Sequence, residues 1–93
     1  MNTIEFNKDN WTGENAVIKV YKNRVELPDL KLKLNYTYNN KEKTYKFISE
    51  ENDINITVFN DGGNWIAYPN TFTTERVADN PFIALGQLIY TIF

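Results

Sequence analysis

The residues able to do covalent or acid–base chemistry are few in this chain and poorly placed for it. It has no histidine and no cysteine, which removes the commonest general base, the thiolate nucleophile, thiolate metal ligation and disulfides together. Ser49 is its one serine, and nothing in the sequence activates it. Glu50, Glu51 and Asp53 lie close enough in sequence for a carboxylate pair of the glycosidase kind. Set between two strand patterns, they read as a solvated connector. Asn60-Asp61-Gly62-Gly63-Asn64 offers oxygen ligands for calcium, yet lacks the ligand spacing and distal bidentate Glu of an EF-hand loop. The same residues are what a tight hairpin turn prefers. The expectation is a non-enzymatic protein with no catalytic residue, cofactor or metal.

Two constellations point to binding instead. Residues 30–48 hold five lysines and one glutamate in a chain whose net charge is −2. Lys31, Lys33, Lys43 and Lys46, with Tyr36, Tyr38, Tyr45 and Phe47 on the same hairpin, have the composition of a stacking platform for single-stranded nucleic acid. Alternation, however, places Lys31, Lys33 and Lys46 opposite the Leu/Tyr face, leaving Lys43 at the tip beside Tyr38. The second constellation is Phe59, Ile66 and Tyr68, together on the back of the third hairpin, with Trp11 in a polar loop as a further candidate. A contiguous exposed apolar patch marks an interaction site, and Trp is enriched at interface hot spots. The competing reading is that Trp11 or the 70–79 loop folds over the patch, or that Trp11 plugs the core.

The elements that position these residues are legible from periodicity. Asn80-Pro81 opens an amphipathic helix to Phe93, since Asn caps and Pro suits the first helical position. Leu88, Ile92, Leu85, Ile89, Phe82 and Phe93 share one arc. Ala84, Gln87 and Thr91 form the solvent-tolerant strip, and Gly86 allows close approach to a sheet. At about 1.5 Å per residue the helix is too short to cross a bilayer. Before it come a short edge strand at Thr3–Phe6 and three hairpins. Ala16 to Leu27, turning at Lys22-Asn23, pairs Val20 with Val25, Ile18 with Leu27 and Lys19 with Glu26. Residues 30–49, turning at Asn40-Lys41, set Tyr36 against Tyr45 and Leu34 against Phe47. Asp53 to Pro69, turning at Gly62-Gly63, sets Val58 against Ala67 and Phe59 against Ile66. Asn70 to Asp79 reads as a crossing loop. The expected architecture is one α+β domain over residues 1–93: an antiparallel meander of five to six strands packed under one C-terminal helix.

A chain that is 42% hydrophobic and 24% charged is ordinary globular material. Met1 to Gly13 lacks the basic and apolar regions of a signal peptide, so the expected location is cytoplasmic, away from membranes. The N-x-T sequences at Asn10, Asn35 and Asn55 then carry no glycosylation signal. Asn, Lys, Ile, Tyr and Phe make up nearly half the residues. All are favoured by A/T-rich codons, which points to a low-GC bacterium or one of its phages. In general style the chain resembles small proteins encoded by phages and mobile elements, many of which block host enzymes, anti-CRISPR and other anti-defence inhibitors among them. No motif carries that resemblance. The expected function is protein binding, with inhibition of a host protein such as a defence nuclease as its form. Single-stranded nucleic-acid binding through Lys31, Lys33, Lys43 and Lys46 is the alternative, and a small structural or assembly subunit, including a homodimer, is a second.

Overall fold

The C-terminal segment forms its helix for the expected local reasons, and its lack of charge decides where it sits. In the computed structural model, which describes residues 2–9, 13–71 and 74–93, α1 spans Pro81–Ile92. The Asn80 side-chain oxygen accepts from the N–H groups of Phe82 at 2.8 Å and Ile83 at 3.3 Å, satisfying two orphan donors of the first turn. No residue of Pro81–Ile92 is charged, and a helix so largely apolar is stable only when most of its surface is covered. Residues 84–89 are accordingly all buried.

Eight antiparallel strands among the described residues pack around it: β1 (Asn2–Asn7), β2 (Asn15–Val20), β3 (Arg24–Leu27), β4 (Leu32–Asn39), β5 (Thr44–Ser49), β6 (Ile54–Asp61), β7 (Asn64–Pro69) and β8 (Arg76–Ala78). Each pairs with its sequence neighbour. Eight strands at about 4.8 Å spacing would span about 34 Å if flat, whereas a helix with its side chains is about 10–12 Å across. Yet α1 touches β1 and β2 at one edge and β6, β7 and β8 at the other. The sheet is therefore curled around the helix. Its concave face supplies the core, with Phe6, Ile18, Val25, Leu27, Leu34, Phe47, Ile56 and Val58 packed on Leu85, Leu88 and Ile89.

Gly86 is where sheet and helix come closest. A Cβ built there would lie 2.5 Å from Cζ of Phe6, so the ring on β1 occupies the space any other residue would fill. At the N-terminal end of α1, Phe82 meets the rings of Tyr45 at 5.3 Å, Tyr36 at 5.7 Å and Phe47 at 6.0 Å.

The first and third hairpins have the expected registers: Lys19 faces Glu26 and Val20 faces Val25, while Val58 faces Ala67 and Phe59 faces Ile66. The second hairpin is displaced by two residues, so Tyr36 faces Phe47 and Tyr38 faces Tyr45. Its turn is four residues long because the Asn39 side chain accepts from the N–H groups of Lys41 and Glu42. Lys43 then takes a left-handed φ of 51°. An even displacement leaves every side chain on its expected face. Leu30 lies outside β4, in a single 3-10 turn over Pro28–Leu30 that closes on Lys31 at φ 52°.

Three other expectations are corrected. The sheet has eight strands rather than five to six, in part because residues 76–78 of the supposed crossing loop pair with β7. Ala84 and Gln87 are buried, since the curled sheet leaves α1 no open strip of that width. Phe93 lies past the last helical residue and is 63% exposed.

Candidate functional site

Because the concave face is filled by α1, the broad face of the sheet left open is its convex back. Alternation along β5 to β8 puts Phe47, Ile56, Val58 and Ala67 inward, so Lys46, Ile48, Thr57, Phe59, Ile66, Tyr68 and Val77 point outward. Two rows cross the strands on this side. One runs Thr37, Lys46, Thr57, Tyr68, and the other Thr44, Phe59, Ile66, Val77. Phe59 and Ile66 are half-buried, Tyr68 is 38% exposed and Val77 52%. The Phe59 and Tyr68 rings pack edge to face, with centroids 5.7 Å apart and planes at 73°. Thr57, opposite Tyr68 and two residues before Phe59 on β6, is buried. A shallow groove beside the pair is lined by Glu42, Thr44, Lys46, Thr57, Phe59 and Tyr68.

The expected trio of Phe59, Ile66 and Tyr68 is thus gathered on one outward face. Trp11 lies outside the described residues. Residues 76–78 of the segment expected to fold over the trio instead extend the sheet as β8, which adds Val77 to the patch. Val77 was hidden because Arg76-Val77-Ala78 is too short to show period-two alternation; a single β-branched residue between polar stretches was its only signal.

The lysines separate. Lys33 and Lys46 are on the convex face, opposite Glu26 and Thr57, with Lys19 in the same row as Lys33, beyond Glu26, and Arg24 in the next row. Lys31 is in the bend before β4 and Lys43 in the β4–β5 turn. Their own hairpin's aromatics point the other way, into the cluster around Phe82, with Tyr38 at its exposed rim. Arg24 Nε donates to Glu26 at 3.0 Å, so one cation of this face is already engaged.

The few polar residues that suggested chemistry have structural work. Ser49 Oγ accepts from Asn52 N at 3.3 Å and Asn52 Nδ2 at 3.0 Å, holding the β5–β6 turn in which Glu50, Glu51 and Asp53 stand exposed. Asn60 to Asn64 form the β6–β7 turn, with Gly62 and Gly63 at φ 61° and 91°, values that L side chains rarely adopt. Among the described residues no group of three His, Cys, Asp or Glu is gathered as a metal would require. Among the described residues no helix is long and apolar enough to cross a membrane. Comparison with known protein families, curated proteins and solved structures gave no match.

Proposed function

We propose that the chain is a non-catalytic binding protein that docks a protein partner on the convex back of β6–β8, centred on Phe59, Ile66, Tyr68 and Val77. The observation that carries this reading is the registered row Phe59–Ile66–Val77, with Tyr68 packed edge-on against Phe59, on a face the described residues leave open. A sheet back needs no large apolar side chains for folding. Placed side by side and exposed, they mark an interaction site. Burying each is worth about 1.5–3 kcal/mol, so a few would dominate a small interface. A small chain of this composition fits action by obstruction, as an inhibitor of a host protein.

The test is the double replacement Phe59→Ser with Tyr68→Ser, with folding and partner capture measured separately. Near-normal thermal stability with loss of partner binding is the expected result. Unfolding of the double variant, or unimpaired capture, would overturn the assignment.

A second reading is favoured by one observation. Lys33 and Lys46 share the convex face with Phe59 and Tyr68, so cations and aromatic rings are reachable from one side, as single-stranded nucleic acid requires. The edge-to-face packing of Phe59 on Tyr68 counts against it, because the edge of one ring occupies a stacking face of the other. Binding to single-stranded DNA that is strong at low salt and falls steeply with added salt would restore this reading. No binding at about 20 mM salt removes it.

A further inference from the structure

Successive residues of an antiparallel strand turn their backbone N–H and C=O to opposite sides, so the phase of its ladder tells which groups an edge strand leaves unpaired. For β1 two bonds fix that phase independently. The Lys8 N–H donates to the Glu14 carbonyl at 2.9 Å, one step beyond the pairing of Asn7 with Asn15. On the other side of β2, the Tyr21 N–H donates to the Arg24 carbonyl at 2.8 Å, which turns Lys19 towards β3 and leaves Ile18 and Val20 for β1. Both put Asn2, Ile4 and Phe6 in the hydrogen-bonded pairs of β1 with β2. The backbone groups of Thr3, Glu5 and Asn7 therefore point off the edge of the sheet. The Asn7 carbonyl accepts from Gln87 Nε2 at 3.0 Å. Thr3 and Glu5 are exposed, and among the described residues no strand pairs with β1 on that side.

Sheet edges are normally blunted by proline, lysine, a bulge or shortness. The opposite edge is blunted by shortness: β8 runs only from Arg76 to Ala78, and of these Val77 alone turns its backbone outward. Strand β1 has none of these devices. It contains no Pro or Lys, and its register with β2 is unbroken. We propose that β1 is the contact of a homodimer, in which it pairs antiparallel with β1 of a second copy about a two-fold axis at Ile4. Side chains select this register. An axis at Glu5 would set two carboxylates directly opposite each other, which is destabilising. An axis at Ile4 sets Thr3 opposite Glu5 of the second copy and uses the outward N–H and C=O of both residues on each strand. On the convex side it continues the row Thr3, Lys19, Glu26, Lys33 with Glu5 of the second copy, so no two like charges become neighbours in that row. On the inner side the half-buried Ile4 meets its own copy in the closer, non-hydrogen-bonded kind of pair. An edge this short makes a small interface and a weak dimer, with a Kd of about 100 µM.

Sedimentation equilibrium of the full chain from about 10 µM to about 1 mM should show the dimer forming. Over the same range, amide exchange followed by NMR should slow at Thr3 and Glu5 and stay fast at Val77. Thr3→Pro removes an outward donor and none that the β1–β2 ladder uses. It should abolish the dimer and leave the thermal midpoint of the monomer close to its original value. Charge tests the register without touching the backbone. Thr3→Glu faces Lys19 within the chain and Glu5 across the dimer, so it should weaken dimerisation about fivefold with no loss of monomer stability. Thr3→Lys should strengthen dimerisation about fivefold. A chain that stays monomeric up to about 1 mM would overturn the proposal. So would a dimer that forms without slowing exchange at Thr3 and Glu5, or one that responds alike to the two charges. A dimer that survives Thr3→Pro but is lost on Phe59→Ser with Tyr68→Ser would also overturn it, by placing the contact on the convex patch. Capture of a different protein by that patch is a separate measurement, and neither result decides the other.

Discussion

At the scale of single residues, two neighbours in α1 fix how the helix meets the sheet, and they do so by opposite means. Gly86 works by lacking a side chain: the Phe6 ring fills the space where a Cβ would lie. Gly86→Ala should therefore destabilise by about 1–3 kcal/mol, the range for overpacking, despite the better helix propensity of alanine. Phe6→Leu in the same chain should recover part of the loss, which a double-mutant cycle in denaturant would show as a coupling between the sites. Gln87 works through a polar contact. Its Nε2 donates to the Asn7 carbonyl at 3.0 Å, tying the helix to the end of β1 across 80 residues of sequence. Gln87→Ala should cost about 1–3 kcal/mol, because a half-buried carbonyl loses its partner; an unchanged denaturation midpoint would show the bond to be dispensable. The tyrosines around Phe82 set the pH behaviour. Burial raises the Tyr36 phenol, and it raises that of Tyr45 with help from Tyr38 and Tyr36. The unfolded chain then gives up these protons first, near pH 10. Their contribution is complete below that value and is lost as pH climbs through the raised folded values. Stability measured at increasing pH should begin to fall around pH 10, and the fall should be shallower in Tyr45→Phe.

At the scale of elements, what was legible in the sequence follows the strength of local signals. The helix was readable because Asn80, Pro81 and the arc of Leu85, Leu88 and Ile89 agree. The first and third hairpins were readable because several side-chain pairings concur on each register. The second hairpin misled by two residues because nothing in an alternating pattern distinguishes Asn40-Lys41 from a turn built on the Asn39 side chain. Its faces survived, since the period is two. Strand β8 was invisible: three residues hold no period, and they are strand only because β7 offers them an edge. The burial of Ala84 and Gln87 was beyond reach for a different reason. A helical arc says which residues prefer the core, but the curl of a sheet that wraps two sides of the helix is set by long-range packing. The same limit applies to the candidate site. Phe59, Ile66 and Tyr68 could be placed on one face from the register, whereas Val77 gains meaning only once the sheet edge is positioned. For α1 itself, Leu85→Ala and Ile89→Ala, both at fully buried positions, should each cost about 2–5 kcal/mol. Thr91→Ala, at an exposed position, should cost far less. Equal midpoints for the three would contradict the enclosure of the helix.

At the scale of the whole molecule, the last element in sequence supplies the interior of everything before it. Each strand pairs with its neighbour, so the hairpins are local and individually marginal, as isolated two-stranded ribbons are. Their concave faces, lined by residues such as Ile18, Leu27, Leu34, Phe47, Ile56 and Val58, have no apolar partner until α1 is in place. The helix has no stability of its own either, at twelve residues, the lower limit for marginal helices in water. Sheet and helix therefore form together or not at all. Removing residues 80–93 should abolish the cooperative thermal transition rather than lower its midpoint, leaving a chain that exposes apolar surface and binds a hydrophobic dye. Adding the missing segment back as a peptide should restore the transition in proportion to peptide concentration, because binding to the folded state alone shifts the equilibrium by mass action. A truncated chain that still melts cooperatively would show that the curled sheet holds its shape without the helix. In that case α1 would be an occupant of the concave face rather than its core, and that face would join the convex patch as a surface open to partners.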